Sequence, residues 1–276
     1  MTVQSELMQI SKQSDLEINL LNGALALAKW SELDLNIEPY QRHGTALVRD
    51  LKAYVGADHQ TIEVILDGVR QILAKRYGYA LSNDSAELEE PSNLAHTIER
   101  RRGCPLTLCI LYAHVLDQMS TRVDIIDFPA RPLVRVLGEK QHIIIDPVSQ
   151  GKQIKAAHIR DLFNDHQNEH DAPTINPFAV PVLSRRQALL KIQDDLKLHM
   201  LRQNAPEAAI AAIEASLLIA PNEPRLWREI GILHARLDHI SQSIAALKRF
   251  LSFPSNDQQR YSASQLLQRL QKNKDS

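Results

Sequence analysis

One stretch limits the folds open to this chain more than any other: Arg101–Leu116, RRGCPLTLCILYAHVL. A glycine and a proline ahead of an unbroken apolar run turn the backbone sharply and predict a helix from Pro105 to about Met119. Proline suits its first turn, where the N–H has no partner within the helix. Because the run is apolar nearly all round, the helix has no face for water and must be covered on both sides. The chain downstream supplies one cover. VDIIDF (123–128), LVRVL (133–137) and HIII (142–145) are short and rich in β-branched residues, which suit pleated strands. Gly138 and Glu139 lie midway between the last two runs, which predicts the tip of a hairpin there and sets residue 135 against 142 and 131 against 146. The resulting fold class is α+β, a helix against three antiparallel strands.

The other cover lies upstream. Leu16, Leu20, Leu21, Leu25, Leu27 and Ala28 recur at helical spacing, Pro39 opens a second helix through Leu47 and Leu51, and a third is predicted from Asp58 as its cap through Ile62, Ile65, Val69, Ile72 and Leu73 to Gly78. SNDSAELEEPSN (82–93) is acidic and aperiodic, a solvated connection, after which a short helix ends at Gly103. Between Asn164 and Ser184 three prolines among Asn and Asp residues mark a boundary. His166 and His170 stand there beside Asp165 and Asp171, but without a helix to align them or a third ligand no metal site is expected, and no cofactor site either.

Composition narrows the function. Over 276 residues, 32 basic and 33 acidic side chains leave a net charge of −1, which argues against nucleic acid or an anionic membrane as partner. Two cysteines five positions apart give no disulfide framework, the N-terminus has no signal-peptide pattern, and no run reaches the roughly 18 apolar residues of a membrane span. A cytoplasmic protein is expected.

The C-terminal third repeats. A shift of 34 residues places Leu196 on Ile230, Ile210 on Ile244, Ile213 on Leu247 and Leu217 on Leu251, with Pro221 one place short of Pro254. That period resembles the tetratricopeptide helix pair. The second copy carries Trp227, Gly231 and Leu247 of that pattern, while the first has Gln193 and Lys197 where the family has Trp and Gly. Two copies and a last helix around Tyr261, Leu266 and Leu270 are too few for a free solenoid, so the repeats are expected to pack on the first domain. The predicted domains are 1–172 (helical 1–80, core 92–160), a linker at 173–184, and repeats over 185–276.

A thiol near a helix N-terminus followed by three strands resembles the papain-like and transglutaminase-like design, in which a strand histidine takes the thiol proton and an acid orients that histidine. Asp146 supplies the acid. Opposite it the predicted hairpin sets Arg131, which stays protonated and cannot act as a base, and His142 lies four residues off. RRGCPLTLCILYAHVLDQ, IIDFPARPLVRV and IIIDPVSQGKQI resemble the second variety of transglutaminase-like core of the SirB-type bacterial family, which carries tetratricopeptide repeats after it. The resemblance places the family's histidine on Arg131 and the thiol of true transglutaminases on Pro105, with Cys104 one residue early. It therefore implies the fold, while a catalytic triad at Pro105, Arg131 and Asp146 is degenerate. The chain is expected to be a non-catalytic protein that binds a protein or peptide. The alternative is a cysteine hydrolase or acyltransferase using Cys104 with His96 or His114; His114 lies more than two turns along the same helix, so only His96, on the preceding helix, is expected to approach.

Overall fold

The computed structural model describes residues 2–56, 61–84, 90–129, 131–138, 142–155 and 181–275. The chain divides into two compact units, Gln13–Ile192 and the pair Met1–Lys12 with Gln193–Ser276.

In the first, helices α2 (Leu20–Ser31), α3 (Glu38–Val55) and α4 (Ile62–Val69) precede a short α5 (Leu94–Arg100) and the long apolar α6 (Pro105–Asp117). Leu106 to Ala113, Val115 and Leu116 are all buried, as a helix apolar on every side requires. Strands β3 (Arg122–Ile126) and β4 (Leu133–Leu137) cover one side of α6, and α2, α3 and α4 cover the other. Two-residue strands β1 (Ala80–Leu81) and β2 (Arg102–Gly103) pair in parallel just ahead of α6. The three expected strands, with β5 at His142–Asp146, are the centre of a larger antiparallel sheet. Two short strands, β6 (Lys152–Ile154) and β7 (Val182–Leu183), extend it in the order β6-β5-β4-β3-β7. Three polar-rich residues and a two-residue piece carry too little alternation to announce themselves as strands.

Two local expectations change. Thr61 caps α4, its side chain accepting from the Val64 N–H, while Asp58, the expected cap, lies outside the described residues. The β4–β5 hairpin is longer than a two-residue turn: Leu137 pairs with His142 and Arg135 with Ile144, so residues 138–141 form the connection. The tip at 139–141, like His166 and His170, lies outside the described residues.

In the second unit α1 (Val3–Ile10) packs on α8 (Pro206–Ile219), with Leu7 and Ile10 buried. The chain enters it along α7 (Arg185–Arg202) and continues through α9 (Pro224–Arg236), α10 (Ile240–Leu251) and α11 (Asp257–Asp275), helix pairs at the repeat period. Gly231 lets α9 and α10 close, since a Cβ there would stand 2.9 Å from the Leu247 side chain. Trp227 packs on the cluster of Leu247, Phe250, Ala263 and Leu270, and its indole N–H donates to the Pro221 carbonyl at 2.8 Å. In the first copy Lys197, at the glycine position, is buried with its ammonium 2.8 Å from Asp194 and 2.7 Å from Glu229, and Arg225 closes the network on Asp194 at 2.9 Å. Burial would raise the Asp194 pKa, but the hydrogen bonds from Arg225 and Lys197 outweigh it and hold the carboxyl below its ordinary value.

Candidate functional site

The approach to α6 is steric before it is chemical. A Cβ on Gly103 would meet Thr97 at 2.5 Å and the Thr107 hydroxyl at 2.7 Å, so only glycine lets β2 pass this close to α5 and the first turn of α6. Cys104 follows as the N-cap of α6, without a side-chain bond to the helix N–H groups. Its Sγ stands 3.1 Å from Ser92 Oγ and 3.5 Å from Thr107 Oγ1, which itself donates to the Cys104 carbonyl and accepts from Thr97. The sulfur is thus ringed by hydroxyls, none of which is a base at neutral pH.

Of the positions implied by the transglutaminase resemblance, Arg131 and Asp146 meet away from Cys104. Pro105 begins α6 and has no side-chain donor or acceptor. Arg131 Nη2 donates to Asp146 Oδ2 at 2.6 Å, and the same oxygen accepts from Ser149 Oγ at 2.7 Å while Oδ1 accepts from the Val148 N–H at 2.9 Å. Asp146 is 1% exposed, and every bond it makes stabilises the carboxylate. Arg131 does not stand directly opposite it. Carrying the observed register on one step sets Leu133 there, two residues from the expected partner. A shift of two keeps both side chains on one face, because the pleat repeats every second residue, and arginine is long enough to bridge the diagonal. The ion pair forms although the register that predicted it differs. Cys109 feels the charge of this pair: its Sγ donates to the Pro132 carbonyl at 3.2 Å, and burial first, and then Asp146, pushes its pKa well above that of an ordinary thiol.

Of the two histidines offered to Cys104, His96 shares with it a cavity of about 30 Å³ beside Ser92 and Arg102. That is space for a water or so, not for an acyl substrate. His96 Nε2 stands 3.1 Å from Glu32 Oε1, an oxygen that also accepts from Asn93. His114 is at the far end of α6, lining a cavity of about 290 Å³ with Asp117, Val123, Ile125 and Arg185. Burial lowers its pKa, and Arg185 pairs with Asp117 at 2.6 Å. The structure therefore brings Arg131 to Asp146 and His96 to the side of Cys104, and sets His114 apart from both. Ser149 and Ser92 were missed from sequence. Ser149 had a signal, an Asp–Pro turn with a serine three residues on, whereas Ser92, in a loop, had none.

Known proteins resemble both parts of the chain. The profile of the transglutaminase-like superfamily matches residues 38–194, and that of the tetratricopeptide repeat matches 196–271. Two proteins named UPF0162 protein, from Xylella fastidiosa strains Temecula1 and 9a5c, are 25% and 24% identical over 247 and 251 residues, each alignment covering 87% of this chain and 86% of the relative. The crystal structure of menin, described as revealing the binding site for Mixed Lineage Leukemia (MLL) protein, aligns with a TM-score of 0.45 at 11% identity over 94% of this chain and 73% of its own.

Proposed function

Since the chain belongs to the transglutaminase-like superfamily, with tetratricopeptide repeats after the core, we propose that it is a non-catalytic interaction or regulatory protein acting in the bacterial cytoplasm on a protein or peptide partner. The observation that carries this reading is the Arg131–Asp146 pair. Where thiol catalysis needs a neutral base held by the acid, the acid holds a permanent cation. The repeat match supports a protein partner, because stacked helix pairs offer extended surfaces for polypeptides. No helix among the described residues is long and apolar enough to cross a membrane. Transglutaminase-like residues over 1–172 and repeats over 185–276, joined at 173–184, form part of the same proposal. Because α1 packs on α8, the repeat side also uses the first residues of the chain. A fragment of residues 185–276 should then fail to melt cooperatively, while the same fragment with α1 restored in trans should gain a transition.

The second reading, a hydrolase or acyltransferase using Cys104, rests on the cavity that Cys104 shares with His96 and on Glu32 as the group that would orient the imidazole. Turnover of amide, ester and glutamine-donor substrates distinguishes the two. The expected result is no difference between the wild type and a Cys104→Ser, Cys109→Ser double variant; turnover present only in the wild type would replace the first reading by the second. Pull-down from the native cytoplasm by the full chain, compared with an Arg131→Met variant, tests whether the old cleft contributes to binding.

A further inference from the structure

Two residues before Gly103, Arg101 ends α5 in the left-handed region, with φ 58° and ψ 21°, a conformation disfavoured for any residue carrying a Cβ. The chain facing it is also irregular. After α4 the backbone passes into a π-helical turn at Arg70–Arg76, where the Tyr77 N–H reaches back five residues to the Ile72 carbonyl at 2.9 Å. Tyr77 and Tyr79 emerge from that turn against Arg101, whose guanidinium carbon lies 5.6 Å and 5.0 Å from their ring centroids. Arg101 Nη1 contacts His43 Nε2 at 2.7 Å and donates also to the Tyr79 hydroxyl, which is itself 2.9 Å from His43 Nε2. Arginine has no acceptor, so Nε2 presents its lone pair and His43 is neutral.

These contacts fix one end of the guanidinium and leave the other. Arg49 and Arg135 each direct Nε and Nη2 side by side at a single carboxylate, Asp50 and Asp124 respectively. Among the described residues Nε and Nη2 of Arg101 have no acceptor, and Arg101 has no carboxylate partner. Asp50, the nearby acid felt by His43, is taken up by Arg49 at 2.9 Å, Arg76 at 3.3 Å and the Tyr77 hydroxyl at 2.8 Å. Three arginines against one carboxylate leave the cluster with an excess of two positive charges in a chain whose net charge is −1.

We infer that Arg101, held by His43 and Tyr79 through Nη1, is a binding site for a phosphate group, which its Nε–H and Nη2–H grip side-on. The planar fork suits any oxyanion, and the double excess of charge favours a dianion over a carboxylate. The inference is independent of the lost triad, since neither Arg131 nor Asp146 takes part. Free phosphate and a phosphate monoester share this chemistry, and relative affinity for inorganic phosphate and phenyl phosphate tells which is the better ligand.

The test is calorimetric or NMR titration of the full chain with inorganic phosphate, phenyl phosphate and acetate. At least one phosphate should bind, with acetate at least tenfold weaker. Arg101→Lys keeps the charge and removes the fork, and should weaken phosphate binding about tenfold or more. Tyr79→Phe keeps the ring and removes one of the two holds on Nη1, and should weaken it severalfold. Lys152→Ala removes a positive charge from β6 and should change nothing. Phosphate affinity unchanged in Arg101→Lys, or acetate binding as tightly as phosphate, would overturn the inference; should Arg101→Lys fail to fold, unchanged affinity in Tyr79→Phe would do so.

Discussion

Arg131 and Arg101 flank the same apolar helix in sequence and are both partly buried, yet they are held in opposite ways. Arg131 is locked by a charge, the 1%-exposed carboxylate of Asp146. Arg101 is locked by neutral groups, an imidazole lone pair, a phenol and two aromatic faces. A cation paired with a carboxylate is neutralised and becomes part of the architecture, whereas one positioned by neutral groups keeps its charge for something else. On the readings proposed above, Arg131 belongs to the architecture and Arg101 is the arginine left to bind.

The largest effect expected from this contrast is at the ion pair. Arg131→Met leaves Asp146 as a buried carboxylate with only Ser149 and the Val148 N–H to serve it, and should destabilise the protein by about 3–5 kcal/mol, with Asp146→Ala comparable. The double variant should cost clearly less than the sum, as read by denaturant unfolding; additive effects would break the idea that each charge is there for the other. Arg101→Met should cost less than Arg131→Met, about 1–2 kcal/mol, because it strands no charge and removes only hydrogen bonds and cation–π contacts. Equal losses for the two would erase the comparison.

The smallest effect is a pH dependence. Burial, and next the charge of Arg101, lower the His43 pKa from 6.5 to about 4. An unfolded chain therefore binds more protons than the folded one between those values, so stability present above pH 6.5 is lost as pH falls toward 4. Melting temperatures at pH 7 and pH 5 should differ more in the wild type than in His43→Gln. Since His43 is only half buried, the difference should be a few degrees or less. A His43→Gln variant with the same slope as the wild type would mean that Arg101 is positioned without the neutral imidazole.

Several of these features were legible in the chain. The all-apolar run after Gly103 demanded a helix covered twice, and the three β-branched runs supplied the strands on one side of it. The repeat period showed in the spacing of Ile230, Ile244 and Leu247 against their counterparts. Arg131, set opposite Asp146 by the predicted hairpin, was visible as a residue that cannot serve as the base, because no environment turns a guanidinium into one. Other features were not. The β4–β5 register slipped by two because loop length is set by backbone torsions at the turn, which the residue types constrain only loosely, and β6 and β7 are too short to carry a period.

What the sequence determined by itself was the set of local patterns: the helical and strand periodicities, the proline opening α6 and the repeat spacing. These follow from properties of a residue and its near neighbours. Only the tertiary structure decided which distant side chains meet. His43, Tyr79 and Arg101 converge because a π-helical turn, a left-handed residue and a two-residue parallel pairing set three segments edge to edge. Lys197 is tolerated at a glycine position because Asp194 and Glu229 reach it from two helices. Contacts of that kind depend on where whole elements pack, and packing is a property of the assembled core rather than of any one stretch of chain.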